Sequence, residues 1–296
     1  VLRLGLIGLS SGNGHPYSWS AIFNGYDRAA MEVCGYPAIP AYLQRQKFPE
    51  DGLSFAKVTH VWTQDPELSR KVARASLIPS VVDHYKDLIG LVDGVLLARD
   101  DAENHLTFAP PFLTAGIPIF IDKPLALNMR DAETLFSLQR YPGQIFSCSA
   151  LRYASELQLT DNDRSIVGDL RYIHAKGPKD WQKYAIHLVD PTLNILGDKG
   201  RFTSPQVIRS GHITSLHAIH ESGAHIHIST LGDIPIRISI DVVGSNGCVS
   251  LQFVDTFSAF RKSLSEFVLG IFEKSVKTSE EQLLRAIYLI EAGVTR

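Results

Sequence analysis

Two stretches of the chain carry residue types and spacings that can do chemistry. The first is Gly8-Leu9-Ser10-Ser11-Gly12-Asn13-Gly14-His15, which follows the apolar run LRLGLIG. A glycine-rich turn between a strand and a helix lets backbone N–H groups approach a pyrophosphate, and the positive end of the helix dipole favours its charge. Gly8, Ser10, Ser11, Gly12, Asn13 and His15 are the candidates. Against the dinucleotide fingerprint GxGxxG, Ser10 stands at the second glycine and Asn13 at the third; a plain turn of an α/β protein is the alternative. The second stretch is Asp122-Lys123-Pro124, directly after IPIFI. A charged pair at the C-terminal edge of a buried parallel strand lies where such sheets bind ligands. The proline restricts the lysine backbone to extended or turn geometry. An ordinary surface lysine at a strand end is the alternative.

Histidines gather at 212, 217, 220, 225 and 227. His225 and His227 share one strand face, and two imidazoles can begin a zinc site. No carboxylate or cysteine stands at ligand spacing, so the expectation is a solvated or subunit-facing sheet and no metal. Cys34, Cys148 and Cys248 are far apart and odd in number. They form no CxxC or disulfide framework, which makes a reducing cytoplasm the expected setting.

The elements that position these residues read as a β/α alternation. Strands are predicted at 2–8, 57–62, 92–98, 117–121 and 144–149. Helices are predicted from Tyr17, from Asp65-Pro66 (Asp as cap, Pro in the first turn), over 101–115 with Gly116 as stop, and from Asn128 to Arg140. That rhythm implies a doubly wound parallel sheet over 1–150. Residues 25–56 break it with glycines, prolines and aromatics and read as an insertion with local structure of its own. After residue 150 short strands follow one another (169–176, 206–213, 215–221, 224–231, 234–243, 247–254), with Ser245-Asn246-Gly247 as a hairpin turn. Helices near 257–274 and 279–293 close the chain, the last with Thr278 and Glu281 at capping-box spacing. Residues 151–296 are therefore expected to form an α+β domain with an open, mostly antiparallel sheet.

Composition bounds the function. With 296 residues, 45% of them apolar and 20% charged, the chain suits one or two globular domains. Lys and Arg number 29 against 31 Asp and Glu, a net charge of −2; the basic excess of a nucleic-acid binder is missing. No apolar run reaches the ~18 residues of a membrane helix, and VLRLGLIG reads as a strand rather than a signal peptide.

On VDGVLLARDDAENHLTFAPPFLTAGIPIFIDKPLA, His187-Leu-Val-Asp190 and the terminal TSEEQLLRAIYLIEA, the chain resembles the Gfo/Idh/MocA oxidoreductases. The resemblance implies a Rossmann domain ending in a Glu-Lys-Pro motif, followed by an open-sheet domain that binds substrate and assembles the oligomer. It places Lys123 on the family's catalytic lysine, His105 on its histidine after the fourth strand, and His187 and Asp190 on its H-x-x-D. Arg152-Tyr153 falls where relatives have an arginine and an aromatic facing the substrate.

The departures from the family pattern are specific. Asp100-Asp101 replaces Thr-Pro, with Arg99 just before; Asp122 replaces Glu. Lys183, followed by Tyr184, occupies the place of a substrate-polarising Asp. Thr63 stands where an acidic residue would bind the adenosine ribose, leaving NAD and NADP both open. The implied function is an NAD(P)-dependent oxidoreductase moving a hydride between nicotinamide and a hydroxyl or carbonyl of a sugar, polyol or sugar derivative. His187 is the implied acid/base and Lys123 the group that orients and polarises the hydroxyl, or the two exchange these roles; Tyr184 supplies a third hydrogen bond. Arg99, Asp100 and Asp122 fall on the cofactor side, Lys183 on the substrate side. A homodimer or homotetramer through the C-terminal sheet is implied. Two alternatives keep the fold: dinucleotide-assisted glycoside elimination or hydrolysis, and a non-catalytic dinucleotide or ligand sensor.

Overall fold

The computed structural model describes residues 1–197 and 199–294. The chain divides into two compact units: one comprises residues 1–125, 134–147 and 256–279, the other 126–133, 148–255 and the chain from Glu280 onward.

The first unit is built on strands β1 (Leu2–Gly8), β2 (Ala56–Thr63), β3 (Ser80–Val81), β4 (Gly94–Leu97), β5 (Ile119–Ile121) and β6 (Ile145–Phe146). They form one parallel sheet in the order β3-β2-β1-β4-β5-β6. Every residue of β4 and β5 is buried, the continuous apolar pattern of strands covered on both faces. The winding direction reverses between β1 and β4. In open α/β sheets that switch point, beyond the carboxyl ends of the strands, is where ligands bind. Gly8, Asp100 and Asp122 all lie at those ends.

Several local readings are refined. Residues 25–56 do carry their own helices, Arg28–Glu32 and Ala38–Leu43, the first capped by Asp27 accepting from the Ala30 N–H at 2.8 Å. The segment 101–115 is not one helix. A 3-10 turn at Ala102–Asn104 leads into His105–Phe108 and then Pro110–Ala115, because prolines 110 and 111 cannot donate the bonds a continuous helix needs. The helix capped by Asn128 ends at Ser137 rather than Arg140. The helix Thr256–Glu273 belongs to this unit, with Phe267 against Phe120 at 5.7 Å and Phe146 at 5.8 Å.

The second unit carries β7 (Leu170–Gly177), β8 (Gln206–Ser210), β9 (Ile213–Ile219), β10 (His225–Thr230), β11 (Ser239–Gly244) and β12 (Cys248–Gln252) in the order β12-β11-β7-β10-β9-β8. Only β7 and β10 run parallel. One face buries Ile173, Ala175, Leu216, Ala218, Ile226, Ile228, Ile240 and Val242. The helix Ile186–Leu196 packs on β7 and β10 there, and Glu280–Gly293 packs on β8 and β9. The opposite face is polar: Tyr172, His174, Lys176, His217, His225, His227 and Asp241 are exposed or half-buried. The last helix starts at Glu280, not beside Thr278, whose buried hydroxyl has no hydrogen-bond partner among the described residues. The capping box read at Thr278 and Glu281 is therefore one residue out of place.

Candidate functional site

In the first unit the glycine turn is tied to the ends of two neighbouring strands. Beyond β4, the Ser10 hydroxyl donates to Asp100 Oδ1 at 2.7 Å and accepts from the Asp100 N–H at 3.1 Å. Beyond β5, Asp122 is fully enclosed. Its Oδ2 accepts from Asn13 Nδ2 at 2.8 Å and lies 2.6 Å from His15 Nδ1, while its Oδ1 accepts from the Lys123 N–H at 2.8 Å. Burial alone would raise the Asp122 pKa. The His15 and Lys123 charges and the bonds from His15 and Asn13 outweigh it, and the carboxyl is held well below the usual carboxylate range. His15 is stacked on Trp19 at 4.9 Å and meets Phe260 edge-on at 5.0 Å. Lys123, buried, reaches Asp100 Oδ2 at 3.5 Å.

The turn itself suits a pyrophosphate. A side chain on Gly8 would come within 2.6 Å of Pro16, so glycine is what lets the helix His15–Asn24 begin this close to β1. Gly12 has φ +79° with open space around its would-be Cβ, and both Ser11 and Gly12 are exposed. Gly14 caps the helix without a side-chain bond. Exposed main chain at a helix N-terminus is the donor set that a dinucleotide's phosphates require.

The ribose side is different. Thr63 is buried, its hydroxyl donating to Asp65 O at 2.7 Å and sitting 2.9 Å from Ser69 Oγ. Its neighbour Gln64 clamps Leu9 through both main-chain groups, at 3.0 and 2.8 Å. Arg99 crosses to join them, with NH1 on Gln64 Oε1 at 3.1 Å and Leu9 O at 3.3 Å. Its other nitrogens grip Asp101 at 2.6 and 3.0 Å, and its guanidinium lies 4.8 Å from the Phe108 ring centre. His105 is fully buried, both ring nitrogens facing main-chain carbonyls, Leu125 O at 2.9 Å and Arg99 O at 2.7 Å. It fixes the loop after β4 from beneath.

The second unit brings together His187, Tyr184, Asp190 and Arg152. Tyr184 meets the His187 ring edge-on at 5.2 Å. Ser149, which sequence reasoning passed over, is buried between them: its Oγ is 2.7 Å from His187 Nδ1 and its N–H donates to Asp190 Oδ2 at 2.6 Å. Burial pushes the Asp190 pKa up to about 6 against the opposing pull of Arg152 and the Ser149 N–H. Arg152 is buried beside Gln282, whose amide, turned so that its oxygen faces the guanidinium, accepts from it at 2.8–2.9 Å. Tyr153 is half-buried, as is Lys183, whose N–H donates to the cap Asp180 at 3.0 Å. A serine in no recognised motif gives no sequence signal for such a role. The sheet histidines pair off, His217 Nε2 with His225 Nδ1 at 3.0 Å and His174 stacked on His227 at 4.9 Å. Among the described residues no group of three or more histidines, cysteines or carboxylates is placed to hold a metal ion, and no helix is long and apolar enough to cross a membrane.

A doubly wound sheet with an anion-ready glycine turn, joined to a unit with an open mixed sheet, defines a class of two-unit nucleotide-binding folds. Residues 29–149 match the profile of one such family, Gfo/Idh/MocA, described as "Oxidoreductase family, NAD-binding Rossmann fold". Over 172 residues it is 26% identical to YceM of Salmonella typhimurium, named as an oxidoreductase; the match spans 55% of this chain and 55% of that protein. Among solved structures it is similar to the myo-inositol dehydrogenase of Lactobacillus casei in complex with NAD(H) and myo-inositol. There the TM-score is 0.73 and the identity 15%, over 99% of this chain and 93% of that one. The scyllo-inositol dehydrogenase of the same organism, with NAD(H) and scyllo-inositol, gives 0.68 and 13% over 97% and 94%.

Proposed function

We propose that the chain is an NAD(P)-dependent oxidoreductase acting on a hydroxyl or carbonyl of a sugar, polyol or sugar derivative. The observation that carries this reading is the glycine turn fastened to Asp100 and to Asp122-Lys123 at the ends of β4 and β5. Exposed main chain faces an incoming phosphate, and a buried lysine stands next to the turn's anchor. The family match and the NAD- and inositol-bound neighbours support it.

Ser11, Gly12 and the helix N-terminus behind them hold the pyrophosphate, with Gly8, Ser10, Asn13, His15 and Asp122 shaping the turn. When bound, the nicotinamide accepts or gives the hydride. Lys123 orients and polarises the reacting oxygen, its ammonium kept in place by Asp100. His187 takes or returns the proton, with Tyr184 as a further hydrogen-bond donor; Arg152, Tyr153, Lys183 and Asp190 shape the substrate side. The polar face of the second sheet assembles copies of the chain into a homo-oligomer.

The test is to titrate the purified protein with NAD+ and NADP+, then follow nicotinamide reduction with myo-inositol, scyllo-inositol and a panel of aldoses. Replacing a general acid/base typically costs about 10²–10⁴-fold in rate. Lys123→Ala and His187→Gln should lower kcat in that range with cofactor affinity little changed. Failure of the parent to bind either dinucleotide would sink the proposal; unchanged turnover in both variants would remove these residues from the chemistry.

A further inference from the structure

We propose that Ser149 is a positioning residue for His187: its hydroxyl accepts the Nδ1–H of the ring, and Nε2 is thereby the atom that exchanges the proton. The inference rests on the reading of His187 as acid/base and adds what sets its tautomer.

Ser149 has no exposed surface and is held on both sides. Its main-chain N–H donates to Asp190 Oδ2 at 2.6 Å, and Asp190 is itself 2% exposed. Its Oγ accepts from the Leu151 N–H at 3.2 Å and lies 2.7 Å from His187 Nδ1. His187 and Asp190 are three residues apart on the helix Ile186–Leu196, the spacing that puts two side chains on one face. One serine therefore meets both, main chain to carboxylate and hydroxyl to imidazole.

The chemistry follows from the ring. An imidazole that removes a proton through Nε2 must be neutral with its hydrogen on Nδ1. One that returns a proton through Nε2 is a cation with hydrogen on both nitrogens. In both states Nδ1 is a donor and needs an acceptor. A hydroxyl oxygen has two acceptor positions; the Leu151 N–H takes one and Nδ1–H takes the other. The nearby carboxylate of Asp190 is directed to the Ser149 main chain rather than to the ring. The orienting contact at Nδ1 is thus a neutral hydroxyl, which fixes the tautomer.

Long-range 1H–15N correlation spectra of the full chain, labelled at histidine and recorded where imidazoles are neutral, read the tautomer directly, with His187→Gln assigning the signal. The parent should show His187 as the Nδ1–H tautomer. Ser149→Ala should move it toward the Nε2–H form that imidazoles prefer in water, and Ser149→Thr, which keeps the oxygen, should restore it. A parent ring in the Nε2–H form, or an unchanged spectrum in Ser149→Ala, overturns the proposal. A purely structural role for Ser149 would shift the melting temperature and leave the tautomer alone. With NAD+ and myo-inositol as probes, Ser149→Ala should lower kcat about tenfold, the worth of one lost hydrogen bond, with KM little changed. If His187→Gln turns over like the parent, the acid/base reading fails, while the tautomer result still judges the Ser149 contact on its own.

Discussion

His15 and Asp122 form a short pair, 2.6 Å from Nδ1 to Oδ2, in which the carboxylate is 1% exposed and the imidazole 17%. The residue that follows β5 is thereby joined to the first residue of the helix after the glycine turn. Asn13 bonds the same oxygen and also accepts the His15 N–H at 2.8 Å. The turn's shape is therefore set by a strand two places away in the sheet.

Asp122→Asn should destabilise the chain by about 3 kcal/mol at pH 7, the typical cost of breaking a buried pair. The folded-state pKa of Asp122 is depressed. The stability it supplies is thus present above the ordinary carboxylate pKa of about 4 and is lost as pH falls below that value. Urea unfolding of parent and variant should differ most near neutrality and converge in acid. Equal midpoints at pH 7 would show that the pair does not hold the turn.

Gly12→Val tests the phosphate site. A non-glycine residue at φ +79° costs roughly 1–2 kcal/mol, so the variant should fold with a modest loss. None of the described residues lies within 4 Å of the new Cβ; the side chain is directed at whatever approaches the turn. Dinucleotide binding, followed by fluorescence titration, should fall sharply. Parent-like affinity for NAD(H) and NADP(H) in a folded variant would move the phosphates elsewhere.

Asp190 has the opposite sign from Asp122. Its folded pKa is raised to about 6, above the unfolded value of about 3.9. The associated stability is whole below the unfolded pKa and is lost as pH rises through the folded one. The effect is on the order of 3 kcal/mol at most, at 1.36 kcal/mol per pKa unit. Thermal melts should show Asp190→Asn gaining on the parent between about pH 4 and pH 6. A variant whose difference from the parent is flat over that window would show that the carboxyl does not titrate there.

The polar sheet face yields a prediction about assembly. Ile208 is 73% exposed and lies opposite Ser215, on the same side as His217 and His227. Light scattering should find a dimer or tetramer at micromolar concentration, and Ile208→Asp should shift it toward monomer. A parent that is monomeric under those conditions would exclude this surface.

The parallel order of the first sheet was legible because β4 and β5 are unbroken apolar runs between helices, a pattern with one physical explanation. The mostly antiparallel second sheet was legible from its short strands and the turn at Ser245-Asn246-Gly247. What could not be read is where a side chain spends its hydrogen bonds. Thr63 and His105 stand where the resemblance placed cofactor contacts, while their polar atoms meet Asp65, Ser69, Leu125 and Arg99. Ser149 belongs to no motif and gains its place only through contacts 38 and 41 residues away. Sequence spacing locates residues along a strand or helix; it carries no record of partners brought in from a distant segment.

The helix Thr256–Glu273 belongs to the first unit but is encoded after every strand of the second. It contributes Phe257, Leu264, Phe267 and Val268 to the buried core, and Phe260 to the rings around His15. On the ribosome, the first unit therefore still lacks part of its core when its last strand, β6, emerges. More than one hundred residues of the other unit must be made first, and only then does the missing wall arrive. A stop codon anywhere between the two would leave the first unit without that helix, so the apparent modularity of the chain does not extend to its biosynthesis.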